Sequence, residues 1–420
     1  MAGFDGSGGI LKHVSERTAM SPARRAKRPE LPALTGVRAV AAAMVVLSHI
    51  RTPADSPGWV SRLVESGYIG VPLFFILSGF VMAYNYGAIN PRSPREVWNF
   101  YVARAARVLP LYYAVLLYLA VRRQALGWDQ LHLLEHVLNI QTWGGSLLAA
   151  QQTYNGPAWS INVELFFYLI FPFLMPLILA MTRKGAAAIT LTIATALFVT
   201  QWLLCVWFAV EGWADLPADD PSSGHRWLYR HPLPRVIEFA IGICLALLND
   251  KRALKGLDGR FHSVIQISSV GLALFLTLVR PWEGPWSGLW RVASFGALYT
   301  LPFAVLLLSL ATNRGVLARL FSTPIMISLG VSSFALYMTH RPFLEVLGAD
   351  VVRDSSGWAA WLFMFLLLGF TMLIGEGTYR YVEDPCRKLV LRLRRRAPRD
   401  RATTAPEPDS ASGKGRQPPT

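Results

Sequence analysis

Charged side chains are sparse in this sequence: Asp, Glu, Lys and Arg make up 16% of 420 residues, while 53% are hydrophobic. A soluble domain typically carries about 25% charge, so the balance excludes that class and points to a polytopic membrane protein. Cysteine is scarce too. Cys205, Cys244 and Cys386 lie far apart and two of them fall inside apolar runs, which suggests packing rather than a disulfide framework or a metal motif. The first 30 residues lack the short apolar core and small-residue cleavage site of a secretory signal, so the first apolar helix is expected to start insertion without being cleaved. An internal repeat of the kind found in many secondary transporters is also missing.

The charge that is present is lopsided. Formal net charge is +15; residues 1–30 hold six Lys/Arg against three acids and residues 386–420 hold ten against three. Basic tails flanking apolar spans follow from the positive-inside rule, so nucleic-acid binding is not inferred. The tails, 1–30 and 389–420, are rich in Ser, Pro, Gly and charge and are expected to be disordered, leaving one membrane domain over 31–388.

With about 20 apolar residues per span, ten candidates can be marked at 33–50, 67–86, 101–121, 160–181, 188–210, 234–249, 263–280, 292–311, 325–347 and 358–380. Connections such as "NPRSPREVW" and "NDKRALKGLDGR" alternate with "EGWADLPADDPSSGH" and "GADVVRDSSG", which places both termini in the cytoplasm. In residues 122–158, "LHLLEHVLNI" segregates apolar and polar faces, so an interfacial helix in an outer loop is expected there. The fold class is all-α: a polytopic integral membrane protein of about ten transmembrane helices in one bundle.

Ionisable groups inside a span are costly and mark a functional site by default. Arg38 and His49 stand 11 residues apart in the first span. At 100° per residue they share a helix face, separated by roughly 16 Å, with Arg38 toward the cytoplasm. Snorkelling or an interfacial position would account for either one alone. Arg104 and Arg107 are neighbours on the third span, serving either as positive-inside anchors or as a phosphate-binding pair, and Pro110 is expected to kink the helix beyond them.

The fourth span opens with Trp159 at the interface, Ser160 as an N-cap and Glu164 one turn inside. His49 and Glu164 are expected at similar depth, where a carboxylate can orient a histidine acting as general base toward an alcohol. For His340 a buried structural role and an acceptor-binding role are both open. Glu238 and Glu376 are expected to cap helices or pair with nearby arginines.

Taken in order, these residues resemble the membrane acyltransferase-3 family of O-acyltransferases over about 31–388. The resemblance rests on Arg38 and His49 in "LPALTGVRAVAAAMVVLSH", on "FFILSGFVMA", and on Arg104, Arg107 and Pro110. It continues through Trp159, Ser160 and Glu164, then "YMTH" with His340, and a closing "YVEDPCRK". It implies transfer of an acyl group, often acetyl, from cytoplasmic acyl-CoA to a hydroxyl of a sugar or natural product. His49 would be the catalytic base and Glu164 its partner; Arg38, Arg104 and Arg107 would anchor the CoA; Trp159, Ser160 and His340 would meet the substrate. Acyl-CoA is then a co-substrate, with no tightly bound cofactor and no metal implied. "LTGV" before Arg38 departs from the family's frequent acidic-Gly-Leu pattern, and variants with Thr there resemble those acting on polyketide antibiotics as well as glycans. The expected location is a bacterial inner membrane. The rival from another class is a transporter or flippase whose buried Arg, His and Glu line a path, which predicts discontinuous helices.

Overall fold

The computed structural model describes residues 28–124, 130–143, 154–182, 187–251, 253–254, 256–281 and 283–396, and among them there is no strand. The helices are α1 (Pro32–Ile50), α2 (Gly58–Glu65), α3 (Gly70–Tyr86), α4 (Pro94–Gln124), α5 (Gln130–Leu138), α6 (Trp159–Thr182), α7 (Ala187–Val210), α8 (Pro232–Asp250) and α9 (Gly259–Val279). They continue as α10 (Ser287–Ala293), α11 (Ala297–Leu310), α12 (Val316–Phe321), α13 (Pro324–Val331), α14 (Ser333–Leu347), α15 (Asp350–Arg353), α16 (Trp358–Thr378) and α17 (Asp384–Arg396).

Proline at the first position and a run of alanines start α1 as a good helix former, and it stops where Arg51 takes φ 67°. Its small residues let neighbours approach closely. Gly36 packs on the carbonyl of Phe321 and Gly330 of α13 on that of Thr35. An equally close crossing lies between α3 and α8: a Cβ on Gly79 would run into the carbonyl oxygen of Phe239, and one on Gly242 into that of Ile76. Reciprocal glycines are what permit backbones to touch where lipid supplies no hydrophobic drive between helices. The peripheral α7, α9 and α16 turn Trp207, Phe275 and Phe365 outward, each half exposed or more, as a surface solvated by hydrocarbon requires.

Among the described residues nine helical stretches are long and apolar enough to cross a membrane. The expected span at 325–347 is not one of them, because the turn at Ser332 divides it into α13 and α14. Ser332 Oγ bonds back to the carbonyls of Ser328 and Leu329 at 3.2 Å each, a local competition that bends helices. The second span starts earlier than expected, at Gly58, through α2 and a 3₁₀ turn at Ser66–Ile69. Helix α4 runs through Pro110 without a break in its 31 residues.

The expected interfacial helix corresponds to α5, nine residues long and too short to span, with Leu134, Val137 and Leu138 exposed. The rest of its loop at 125–129 and 144–153 falls outside the described residues. Two tail boundaries shift as well. Helix α17 carries helical structure past residue 389 to Arg396, and Arg28, expected in the disordered N-terminal tail, pairs with Asp250 at 3.1 Å and lies over the Tyr84 ring. Most of both expected tails, 1–27 and 397–420, falls outside the described residues.

Candidate active site

Helix α14 positions the site along one face. Ser333, Tyr337 and His340 recur at helical spacing, so they line up beside α1. At one end Arg38 Nε donates to Ser333 Oγ at 3.1 Å. In the middle Ser160 Oγ donates to the Tyr337 hydroxyl at 2.8 Å, which itself donates to the Pro157 carbonyl at 3.1 Å. At the far end the His340 and His49 rings meet edge to face, centroids 4.9 Å apart. Asn155 Nδ2, donating to the Met338 carbonyl at 2.9 Å, ties the chain before α6 to the same helix.

Both imidazoles are set in one tautomer by backbone. His49 Nδ1 lies 2.8 Å from the Val45 carbonyl and His340 Nδ1 2.7 Å from that of Tyr337. A carbonyl only accepts, so each Nδ1 carries the hydrogen and each Nε2 keeps its lone pair. His340 is wholly buried and its Nε2 has no hydrogen-bond partner. His49 is partly exposed, which leaves its Nε2 suited to accept a proton from a hydroxyl.

On the Arg38 side of Tyr337 a cavity of about 700 Å³ opens toward the chain ends. Arg28, Arg38, Arg104, Arg107 and Arg387 line it. Arg104 Nη2 donates to the Tyr86 hydroxyl at 2.8 Å, and Arg107 lies 4.0 Å from the Glu383 carboxylate. Glu164 is in this cavity, accepting a hydrogen bond from the Tyr168 hydroxyl. Five guanidiniums against two acids, Glu30 and Glu164, make a site for an anion carrying several negative charges.

The structure therefore brings Arg38, Arg104, Arg107, Ser160 and Glu164 together at one cavity and His49 with His340 beyond its tip. The similar depth expected for His49 and Glu164 is not observed, and among the described residues no hydrogen bond or ion pair joins them. The reason is depth: α6 starts level with Tyr337 rather than at the end of α1, so Glu164, one turn further along, comes level with Arg38. Ser160 is not an N-cap, since α6 begins at Trp159 and the hydroxyl is given to Tyr337. Trp159 is not at an interface either; it is buried against Phe75 and Tyr229.

Sequence reading also passed over Tyr168, Tyr337 and Arg387, which line the cavity, and Arg235. Arg235 forms a fully buried pair with Glu238 at 2.6 Å, which Gln201 joins at 3.0 Å. An Arg three residues before an intramembrane Glu is a pairing signal that could have found it. Glu376 pairs with Arg380 at 2.7 Å and accepts from Ser328 Oγ at 3.1 Å. The three cysteines are free, Cys205 and Cys244 buried in the bundle.

In sequence the chain is similar to known acyltransferases. Acyltransferase MdmB of Streptomyces mycarofaciens is 28% identical over 406 residues, covering 90% of this chain and 95% of that protein. A putative O-acetyltransferase of Staphylococcus aureus is 22% identical over 379 residues, 85% of this chain and 57% of its own length. Peptidoglycan O-acetyltransferase OatA of Listeria monocytogenes is 21% identical over 394 residues, 88% of this chain and 58% of its own. The chain thus spans somewhat more than half of those two longer relatives. No solved structure matches. The model of the acyltransferase domain shared by the acyltransferase-3 proteins matches residues 31–376, and with the apolar helices this establishes that the chain is a multi-pass membrane protein belonging to the acyltransferase-3 family.

Proposed function

We propose that the chain is an acyl-CoA-dependent O-acyltransferase of a bacterial inner membrane, moving an acyl group, acetyl first, to a hydroxyl of a carbohydrate or polyketide acceptor on the opposite face. The observation that carries this reading is the arginine-lined cavity that ends at Tyr337, with His340 and His49 on the other side of that tyrosine. Both termini lie on the cytoplasmic side in this reading, so that Arg28 and Arg387 face the pool of acyl-CoA. Arg38, Arg104 and Arg107 hold the anionic CoA, a co-substrate rather than a resident cofactor. Two of the relatives are O-acetyltransferases by name, one of them acting on peptidoglycan, which favours acetyl and a glycan.

In the reaction His49 Nε2 takes the proton of the acceptor hydroxyl as its oxygen attacks the thioester carbonyl. The C–S bond breaks, the sulfur leaves as thiolate, and the proton on His49 passes to it. Fixing Nδ1–H on Val45 orients the ring without a carboxylate. Glu164 and Tyr168 serve the donor end, where the carboxylate holds the guanidiniums apart and in place.

The test uses purified full-length protein in proteoliposomes with labelled acetyl-CoA. Thioester consumption and label on an envelope glycan or added acceptor are expected from the wild type, falling to background in His49→Ala. Full transfer by folded His49→Ala would remove this mechanism, and uptake of a solute without thioester loss would favour the transporter.

A further inference from the structure

A second cavity, of about 310 Å³, lies at the His49 end of the bundle. It is built from the 3₁₀ turn after α2, the π turn His225–Arg230, the end of α9 and the segment from α10 to Phe295. Its flat walls are Tyr229, Phe295 and His225, with ring centroids 5.1 to 5.7 Å apart. Its polar groups are Arg280, Arg291, Ser287, Ser294 and the Tyr68 hydroxyl. No acidic side chain is among the described residues lining it.

Three further observations point to a ligand. Arg280 is nearly buried and aimed across the cavity at Tyr68, its Nη1 2.6 Å from the hydroxyl. The Tyr68 hydroxyl in turn sits 2.8 Å from Ser294 Oγ. Second, the aromatic walls are braced from behind by the buried Arg235–Glu238 pair: Arg235 Nε donates to the Tyr229 carbonyl and Nη2 to that of Phe295, both at 2.8 Å. A preformed cavity of this size is at the small end for organic ligands. Third, the cavity abuts the site already described, since the Tyr229 ring packs on Trp159 at 4.6 Å and Arg230 lies within electrostatic reach of His49 and Tyr337. Burial, aided by the Arg230 and Arg235 charges, pulls His225 down to about 3, so it faces the cavity as a neutral hydrogen-bonding ring.

Arginines at this end are not explained by the positive-inside rule, which under the proposed orientation puts the excess at the opposite end. Aromatic faces suit the C–H side of a pyranose, the hydroxyls and neutral imidazole suit its OH groups, and two guanidiniums, the buried Arg280 and an Arg291 that also pairs with the exposed Asp215 at 3.4 Å, suit an anion. We propose that this cavity binds the acceptor through one acidic sugar ring, a pyranose carrying a carboxylate or a phosphate, and presents a hydroxyl of that ring or its neighbour to His49. The proposal rests on the acyltransferase reading for its last step, but the binding site itself does not depend on it.

The test is calorimetric titration of detergent-solubilised full-length protein with methyl glucuronide, glucose 6-phosphate and methyl glucoside. Glucuronide or glucose 6-phosphate is expected to bind at least tenfold tighter than the glucoside, and the tighter of the two names the anion. In Arg280→Gln that preference should vanish, while Tyr229→Leu should weaken all three sugars and acyl-CoA binding should stay unchanged in both. Equal binding of all three sugars to the wild type, or none, overturns the proposal whatever the variants do. If Arg280→Gln does not fold, Arg291→Gln, on a half-exposed side chain, is expected to cut the acidic preference about threefold, and no change there counts against the site. Failure of the wild type to bind acyl-CoA would sink the donor reading and leave the sugar selectivity standing.

Discussion

At the scale of single residues, the proposed reaction puts His49 and Glu164 in different halves, and that separation can be measured. A general base contributes about 10²- to 10⁴-fold, so His49→Gln should lower the single-turnover transfer rate by that range and leave the acyl-CoA dissociation constant within twofold. Glu164→Gln should do the reverse, weakening acyl-CoA binding while the acid limb of the pH–rate profile stays in place. A carboxylate partnered with His49 would instead move that limb, and such a shift would return Glu164 to the role first expected for it. Arg38→Lys keeps the charge but loses the fork that reaches Ser333, so a several-fold loss of acyl-CoA affinity is expected where a mere snorkelling cation would show none. The helical phase of Arg38 and His49 was legible in sequence because spacing alone sets it. The partner of His49 was not, because it depends on how deep α6 begins, and no residue of α6 encodes that by itself.

At the scale of helices, the α3–α8 crossing is a contact with no room to spare. Gly→Ala in an open helix gains up to about 1 kcal/mol, but at Gly79 the added methyl meets the Phe239 backbone rather than a side chain that can turn away. Overpacking costs of about 1–3 kcal/mol therefore outweigh the propensity gain, and Gly79→Ala should lower the thermal midpoint in detergent. An unchanged or raised midpoint would mean the helices part freely. The Arg235–Glu238 pair is a second case. Removing one partner of a buried pair costs about 3–5 kcal/mol, so Glu238→Ala should destabilise strongly, and adding Arg235→Met should recover part of the loss; no recovery would show that the bonds to Tyr229 and Phe295 matter more than the charge.

At the scale of the whole molecule, the two cavities lie toward opposite ends of the bundle, as the proposed transfer across the membrane requires. Asp55 and Arg92, both exposed, lie in the connections before and after the α2–α3 span. Cysteines placed there one at a time, with Cys386→Ser as background, should react with an impermeant maleimide from opposite faces of oriented vesicles. Labelling of both from one face would contradict the crossing and with it the sidedness of donor and acceptor. The tenth span expected at 325–347 belongs to this scale as well: hydropathy recorded its apolar content, while the serine back-bonds at 332 that divide it are a matter of local geometry.

The amino-acid sequence alone determined that the chain is helical, that it crosses a membrane many times, and that Arg38, His49, Arg104, Arg107 and Glu164 are its unusual intramembrane groups. Composition and period decide those things, because lipid penalises each unpaired charge and each open backbone group wherever it stands. Only the tertiary structure decided which of those groups meet. The His49–His340 contact, the arginine cavity around Glu164 and the Arg235-braced cavity at the other end join helices far apart in the chain, and their register is set by close backbone crossings and by where each helix starts in depth.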